Sequence, residues 1–286
     1  MTRILMRYPE GKGKALTFSY DDGVYSDIRF AKIMDEYGLR ATFNINGGLF
    51  CNENDKKDDP TRRMTKKEAY DLYANSSHEV ALHGYLHCRL KEIPNSLLAY
   101  EYVKDREALE GMFDRIVRGM AYPYGHCNEE IAAVVRDCGI AYGRTVVSTE
   151  KFELPQNWLL LNPTCHHKNP RLMELAAQFN EKTVNPWESA MLFYVWGHTY
   201  EFVRDNNWNV IEEFAKEISG KDDTWYATNI DIYEYVEAYK RLRVSIDSGI
   251  VMNPSSIPVW FVCVEDFKVY KLEPGETVRL ISGEHK

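Results

Sequence analysis

Two patterns of apolar and polar positions alternate along this chain. Short β-prone runs are typical of buried strands, and the longer segments between them have apolar residues at helical spacing. The strand-like runs are KALTFSY, ATFNI, HEVALH, IVRGMAYP, IAYGRTVV, WLLLNPTCHH, AMLFYVWGH and TWYATN. The helix-like segments are SDIRFAKIMDEYG, TKKEAYDLYAN, NSLLAYEYVKDREALEGMF, NEEIAAVVRDCG, NPRLMELAAQFN, NWNVIEEFAKEIS and IDIYEYVEAYKRLRVS. About seven or eight such alternations predict an α/β fold with parallel strands, built as a distorted (β/α) barrel that need not be complete.

Several helix starts have their own sequence signals. Thr65 and Glu68 have the spacing of a capping box, which predicts a helix from this point. Asn95 and Asn128 are predicted N-caps of two further helices, and Pro170 is predicted to lie in the first turn of another.

The C-terminal part of the chain has a different pattern. The short runs PVWFVCVED, KVYKLEPGE and TVRLIS are strand-like and are separated by turns rather than helices. They predict a small β appendage over Ile257–Ser282. The expected organisation is therefore a barrel domain at 1–256 and a short β extension at 257–286.

Composition and charge narrow the range of partners. The chain has 286 residues and a formal net charge of −8, which disfavours nucleic acid or an anionic membrane surface as a partner. The mixed run NENDKKDDPTRR (Asn52–Arg63) is interpreted as a solvated loop. The six cysteines form no CxxC pair, so free and mostly buried thiols are expected.

The N-terminal segment MTRILMRYPEGKGKALTF contains no apolar run before a small-residue cleavage site. No segment approaches the roughly 20 apolar residues of a membrane span. We therefore expect a soluble cytoplasmic protein with no membrane partner. An exported form would need a leader that has been trimmed. The sequence leaves the oligomeric state open.

Polar residues gather where the predicted strands end, and barrel enzymes place their chemistry there. Asp21 and Asp22 end the first barrel strand, and His83 ends the third with His87 four residues on. The strand AMLFYVWGH ends in His198. Each has another explanation, because the acids could form a turn or helix cap and a lone histidine could be a core residue. Their joint occurrence at successive strand ends favours a site.

Two histidines and one carboxylate are the usual ligands of a catalytic zinc site that keeps a position open. His83, His87 and one of the two acids could supply this set. The second acid would then be free to act as a general base. A bound cation would also lower the cost of keeping two neighbouring carboxylates ionised.

With these motifs the chain resembles the polysaccharide deacetylase family, the nodulation-factor type of carbohydrate esterase. The family motif T-F-D-D-G corresponds to Ser19–Gly23, H-[ST]-x-x-H to His83–His87, and L-x-H to Trp196–His198. The resemblance covers roughly Lys14–Glu201, and the first two motifs together are specific. It implies a distorted (β/α) barrel that removes N- or O-acetyl groups from sugars.

The resemblance also implies roles for individual residues. Asp22, His83 and His87 would hold one divalent metal, zinc before cobalt, manganese or nickel, which polarises the acetyl carbonyl and activates water. Asp21 would be the base, and His198 would be the acid that protonates the leaving group.

Three departures from the family pattern affect these expectations. The third motif, R-x-P-[FY], has Ala121 where the arginine that orients the base belongs, and we hypothesise that Arg144 on the next strand replaces it. The alternative is that Arg144 makes only a structural ion pair. Gly84 replaces the hydroxyl residue of the second motif, and the fourth motif, an acid–tryptophan pair, has no clear match. In the third motif, the backbone N–H of Tyr124 would help to hold the oxyanion.

The expected substrate is an acetylated sugar or oligosaccharide, by family analogy alone. Tyr124 and Trp196 are candidate substrate-binding residues, and a stacking cleft could also include Trp158, Trp187, Trp208 and Tyr200, although core packing is the alternative for each. Two other functions stay open. One is hydrolysis of non-sugar C–N bonds such as cyclic amides, and the other is a catalytically silent carbohydrate-binding barrel.

Overall fold

The structure is a computed structural model that describes residues 3–52, 55, 59–247 and 249–280. Strands and helices alternate through most of the chain, as the sequence predicts. The strands are β1 (Ile4–Arg7), β2 (Lys14–Asp21), β3 (Ala41–Ile45), β4 (Glu79–Leu82), β5 (Gly119–Ala121), β6 (Tyr142–Arg144), β7 (Cys165–His166), β8 (Met191–Gly197), β9 (Thr224–Tyr226), β10 (Arg243–Val244), β11 (Ile250–Met252), β12 (Val259–Cys263), β13 (Val269–Leu272) and β14 (Thr277–Arg279). The helices are α1 (Asp27–Glu36), α2 (Lys66–Tyr73), α3 (Asn95–Phe113), α4 (Glu129–Asp137), α5 (Leu172–Glu181), α6 (Thr199–Arg204), α7 (Asn209–Ile218) and α8 (Asn229–Lys240).

The main sheet is parallel, with strand order β6-β5-β4-β3-β2-β8-β7. At its N-terminal end β2 also pairs with β9, and at its C-terminal end it pairs with β3. Every residue of β2 is buried, because the strand is central in the sheet and helices cover it. The sheet curls into a distorted (β/α) barrel, which confirms the predicted fold class.

The run WLLLNPTCHH is not one strand, contrary to the prediction. Trp158–Leu160 is a short 3-10 helix, and Leu161 makes a parallel bridge with Arg144 on β6. After Pro163, the two residues of β7 pair with β8. Between these two pairings the chain crosses from the β6 edge of the sheet to the β7 edge.

Two predicted helix starts need correction. Asn95 is already helical, Pro94 occupies the cap position, and the Asn95 side chain donates to Glu130 instead of capping α3. Helix α5 begins at Leu172, two residues after Pro170. The capping box at Thr65 and the Asn128 cap are both present, since each side chain accepts the expected backbone N–H.

The β structure beyond the barrel includes strands from outside Ile257–Ser282. The N-terminal β1 pairs antiparallel with β12, which in turn pairs with β13. A second sheet has the order β10-β11-β14. Ile281 and Ser282 lie outside the described residues, and the boundary at 256/257 stays a prediction.

The interpretation of the mixed run Asn52–Arg63 as a solvated loop is wrong at its end. The Arg62 guanidinium is largely buried and pairs with Glu68 at 2.6 Å, and Arg63 contacts Asp22. All six cysteines are free, but only Cys165 and Cys263 are buried, and the other four are half-buried. Within the described ranges, none of the helices has the length and apolar character needed to cross a membrane.

Candidate active site at the C-terminal ends of the strands

The first and third barrel strands bring the predicted metal ligands together. Asp21 is the last residue of β2, and Asp22 follows it in an unusual backbone conformation with φ of 88°. His83 follows β4 directly, and its backbone N–H donates to the Ile45 carbonyl at the end of β3. His87 also has a positive φ, of 55°. Strained backbone of this kind occurs often at functional sites, where the surrounding structure holds it in place.

The ligand atoms of Asp22, His83 and His87 all lie within 4.8 Å of one another. The Asp22 Oδ1 is 3.8 Å from His83 Nε2 and 3.6 Å from His87 Nε2. Ligands about 2.0–2.1 Å from a tetrahedral zinc ion lie about 3.3 Å apart. The distances between the three ligand atoms are therefore slightly longer than in a zinc-bound site, and the residue types are those of a zinc site.

The hydrogen bond of His83 identifies its tautomer. His83 Nδ1 lies 2.9 Å from the Ala121 carbonyl oxygen, which can only accept, so Nδ1 carries the proton. The lone pair of Nε2 then faces Asp22. Burial lowers the pKa of His83, and burial together with His83 lowers the pKa of His87. A neutral histidine whose other ring nitrogen donates to a carbonyl, as in His83, fits a divalent cation.

An arginine holds Asp21, although the third motif has Ala121 at the position where the resemblance leads us to expect that arginine. Arg144 Nη2 contacts both carboxylate oxygens of Asp21, at 2.5 Å for Oδ1 and closer for Oδ2. Asn44 Nδ2 donates to the same Oδ1 at 2.9 Å. Burial raises the pKa of Asp21, but Arg144, His83 and His198 outweigh it and bring the pKa to about 2. Asp21 is therefore ionised.

Arg144 is fully buried, and the Trp196 ring lies against its guanidinium, 4.3 Å from the ring centroid. Trp196 is 8% exposed and also packs edge-on against His166. The structure thus gives Trp196 a packing role beside Arg144. Its part in substrate binding stays a prediction.

His198 faces both carboxylates from the end of β8. Its Nε2 lies 3.8 Å from Asp21 Oδ2 and 4.0 Å from Asp22 Oδ2. On the other side of the ring, Nδ1 is 3.1 Å from Glu201 Oε2. Burial lowers the pKa of His198, but Glu201, Asp21 and Asp22 outweigh it and the net pKa is raised.

Glu201 gathers several donors besides His198. His166 Nε2 lies 3.1 Å from Oε2, and Lys168 Nζ lies 3.0 Å from Oε1. Burial raises the pKa of Glu201, but these partners together lower it well below the usual range. An ionised Glu201 accepts the Nδ1 proton of His198 and so leaves Nε2 directed toward the carboxylates.

His166, His167 and Glu201 form a second group with the composition of a metal site. His166 Nδ1 accepts the backbone N–H of Lys168 at 3.0 Å, so Nε2 carries the proton that it donates to Glu201. A metal ligand needs a free lone pair at Nε2. The tautomer therefore favours a hydrogen-bonded network here, and we assign no metal to this group.

Tyr124 lies beside the metal ligands. Its ring centroid is 4.5 Å from that of His87, the side chain is 57% exposed, and φ is 57°. The guanidinium carbon of Arg89 lies over the Tyr124 ring, 5.3 Å from its centroid. The predicted contributions of Tyr124 to the oxyanion and to substrate binding stay predictions.

Sequence reasoning missed the roles of Glu201, Arg63 and Asn44. Glu201 follows His198 at the i+3 spacing of a capping box, so its orientation toward His198 could have been expected. The sequence places Arg63 in a solvated loop, and no local pattern indicates its contact with Asp22. Asn44 pairs with Asp21 in the β2–β3 register, which a strand alignment could have indicated.

Part of the chain that forms this site matches a known protein family. Residues 8–143 match the family model described as polysaccharide deacetylase. The resemblance to the polysaccharide deacetylase family is confirmed. The matched segment contains Asp21, Asp22, His83 and His87, while Arg144 and His198 lie beyond it. Family likeness supports a carbohydrate deacetylase that hydrolyses acetyl groups on sugars.

Solved structures show the same fold at low sequence identity. A proposed polysaccharide deacetylase from Mycobacterium smegmatis is 18% identical with a TM-score of 0.57, and the match covers 84% of this chain and 96% of the other. A variant with restored activity of BA3943, a CE4-family pseudoenzyme from Bacillus anthracis, is 15% identical with a TM-score of 0.50. That match covers 80% of this chain and 70% of the other. No curated protein matches the chain.

Proposed function

We propose that this protein is a metal-dependent deacetylase of N- or O-acetylated sugars. The observation that carries the proposal is the arrangement of Asp22, His83 and His87 next to an ionised Asp21. A fold shared with a pseudoenzyme does not supply activity, so the argument depends on these side chains. Their chemistry is that of metal-assisted hydrolysis.

Asp22, His83 and His87 would hold the divalent metal, with zinc as the proposed ion. The metal, when bound, would supply Lewis acidity for the acyl carbonyl and increase the acidity of water. The protein's own contribution is to keep both histidines neutral and to direct His83 Nε2 toward Asp22 through the Ala121 carbonyl.

Asp21 is the proposed general base, which accepts the proton of the attacking water. Arg144 and Asn44 fix the orientation of its carboxylate, and the charge of Arg144 helps to keep it ionised. His198 is the proposed general acid, because Nε2 points to the same space and Glu201 stabilises the protonated ring. The proposed base and acid thus lie 3.8 Å apart, from Asp21 Oδ2 to His198 Nε2.

The substrate class follows from the family and not from a visible sugar subsite. An acetylated oligosaccharide or glycoconjugate precursor fits the proposed reaction, and we propose the cytoplasm as its location from the sequence expectation alone. The complete set of ligands, base and acid favours catalysis over a silent binding barrel. No feature of the described residues specifically favours cyclic amides.

The test combines metal analysis with acetate release from N-acetylated oligosaccharides. We expect about one zinc ion per chain and steady acetate release, both lost in Asp22→Ala because one ligand of three is gone. Asp137→Ala is the matched control, since this carboxylate is exposed on α4 and forms an ion pair with the exposed Arg136, away from the proposed site. It should retain metal and turnover.

The outcomes separate the candidate functions. Absence of a divalent metal in the native protein, or full metal retention in Asp22→Ala, would contradict the proposal. Bound metal with hydrolysis of cyclic amides alone would replace it with C–N hydrolysis of non-sugar substrates. Sugar binding without turnover would identify a silent carbohydrate-binding barrel.

A further inference from the structure

Arg63 reaches the metal ligands from a segment outside the family motifs. Its Nη2 donates to Asp22 Oδ1 at 2.9 Å, and its Nη1 donates to Asn46 Oδ1 at 2.7 Å. Asn46 in turn donates to the carbonyl oxygens of His83 and Gly84, both at 2.6 Å. Arg63 therefore connects the turn that carries Asp22 to the loop that carries the histidines.

The oxygen that accepts from Arg63 is the same one that faces the histidines. Asp22 Oδ1 lies 3.6 and 3.8 Å from the Nε2 atoms of His87 and His83. A cation held by the trio would share this oxygen with the guanidinium. The side chains of Arg63 and Asp22 are only 26% and 13% exposed, so water screens the two positive charges weakly.

The backbone around Arg63 is fixed against the turn after β2. Val24 and Arg63 form an antiparallel bridge, and the Met64 N–H donates to the Gly23 carbonyl at 2.9 Å. The Arg63 carbonyl accepts from the Cys51 thiol at 2.9 Å. These contacts hold the guanidinium at Asp22 and distinguish Arg63 from a freely moving surface arginine.

Each of the adjacent carboxylates thus has its own guanidinium, Arg144 for Asp21 and Arg63 for Asp22. We propose that Arg63 is an internal counter-cation for Asp22 that stabilises the metal-free site and weakens its hold on a divalent metal. The inference rests on the metal site of the proposed function. A site neutralised in this way exchanges its metal more readily than three ligands alone would.

The hydrogen bond from Arg63 also has an effect that raises metal affinity, because it helps to orient Asp22. A side chain that orients a metal ligand through a hydrogen bond raises metal affinity, and its loss typically lowers that affinity about 10- to 100-fold. Asp22 is already directed by the turn that contains Gly23 and by its own backbone N–H, which donates to the Asn44 carbonyl at 2.9 Å. Charge repulsion is therefore the larger contribution of Arg63, and the two effects have opposite signs.

The experiment measures zinc affinity of the whole chain by competition with a chromophoric chelator. We expect Arg63→Gln and Arg63→Met to bind zinc at least about tenfold more tightly than wild type, since a neighbouring like charge is removed. Arg63→Lys keeps the charge and should stay within about threefold of wild type. The metal-free neutral variants should unfold at lower temperature and gain more from zinc.

Arg62→Gln is the matched control, because Arg62 is the adjacent residue and pairs with Glu68 instead of Asp22. Its zinc affinity should equal that of wild type even if its stability falls. Weaker or unchanged zinc binding by both neutral Arg63 variants, with zinc bound to wild type, overturns this inference alone. If neither wild type nor variants bind zinc, the proposed metal site fails with it.

Discussion

The adjacent acids at the end of β2 have separate environments. Asp21 is almost fully buried between Arg144 and Asn44, whereas Asp22 turns toward Arg63 and the two histidines. Burial raises the pKa of Asp22, but His83, Arg63 and His198 lower it overall. Two like charges can therefore be neighbours in sequence because each carboxylate has its own guanidinium, Arg144 for Asp21 and Arg63 for Asp22.

Arg144→Ala tests the partner of Asp21. Removing the guanidinium leaves Asp21 buried without its counter-charge, and we expect turnover to fall at least about 100-fold. The metal ligands are untouched, so zinc content should stay at the wild-type level. Breaking a buried ion pair can cost about 3–5 kcal/mol, so acetate release and zinc content are measured at a temperature where circular dichroism shows a folded protein.

Arg144→Lys is the control for charge alone. Lysine keeps the positive charge but lacks the second nitrogen that donates to the Thr145 carbonyl and the planar group that lies on Trp196, so turnover should lie between wild type and Arg144→Ala. Turnover near the wild-type level in Arg144→Ala would show that the ion pair is only structural.

At the scale of elements, the close approach of β7 and β8 depends on a small residue. A Cβ added to Gly197 would lie 1.9 Å from Nδ1 of His167, and His167 is 1% exposed and stacked on Phe202. Close packing against His167 therefore explains why glycine occupies position 197 in the W-G-H segment. It lets the His167 ring lie beside the strand end that carries His198.

Gly197→Ala should destabilise the protein by about 1–3 kcal/mol, because the methyl group has no room unless the buried His167 ring moves. Gly111→Ala is the comparison. Gly111 lies within α3, its added Cβ would meet nothing within 4 Å, and alanine favours the helix by about 1 kcal/mol. Denaturant unfolding should move in opposite directions for the two variants, and equal shifts would contradict the packing argument.

At the scale of the whole molecule, buried carboxylates connect distant elements. Glu79 at the start of β4 accepts hydrogen bonds from Thr42 on β3, Tyr142 on β6 and the Ile230 N–H of α8. Burial raises the pKa of Glu79 to about 7, although these three hydrogen bonds oppose the shift. Glu79 is thus protonated in the folded state at a pH where the unfolded chain has released the proton.

This shift predicts how stability depends on pH. The contribution of Glu79 is fully present below its unfolded pKa of about 4.3 and is lost as pH rises through about 7. Relative to Glu79→Gln, which cannot titrate, the free energy of unfolding should fall by about 2–3 kcal/mol between pH 5 and pH 8. Urea unfolding of both proteins at several pH values measures the difference.

Glutamine suits this comparison because the hydroxyls of Thr42 and Tyr142 can exchange donor and acceptor roles. Its oxygen can take the Ile230 N–H while its amide group donates to Tyr142. A pH-independent difference between the two proteins would show that Glu79 is ionised in the folded state.

The amino-acid sequence predicts the α/β barrel and groups Asp22, His83 and His87 as candidate metal ligands. Alternating strand and helix patterns are local, and so are Asp21-Asp22 and the spacing of His83 and His87. Because parallel strands end on one rim, local motifs at strand ends predict neighbours in space.

The contacts that hold the two adjacent acids come from the tertiary structure, because the sequence suggests Arg144 only by its place on a neighbouring strand and gives no sign of Arg63. Arg144 lies 123 residues from Asp21, and Arg63 lies 41 residues from Asp22. Their contacts arise when the sheet curls and when the 60–65 segment packs on the turn after β2, and no periodicity or spacing encodes either event. Ion pairs between distant residues depend on the final position of each backbone, and that position is set by packing of the whole molecule.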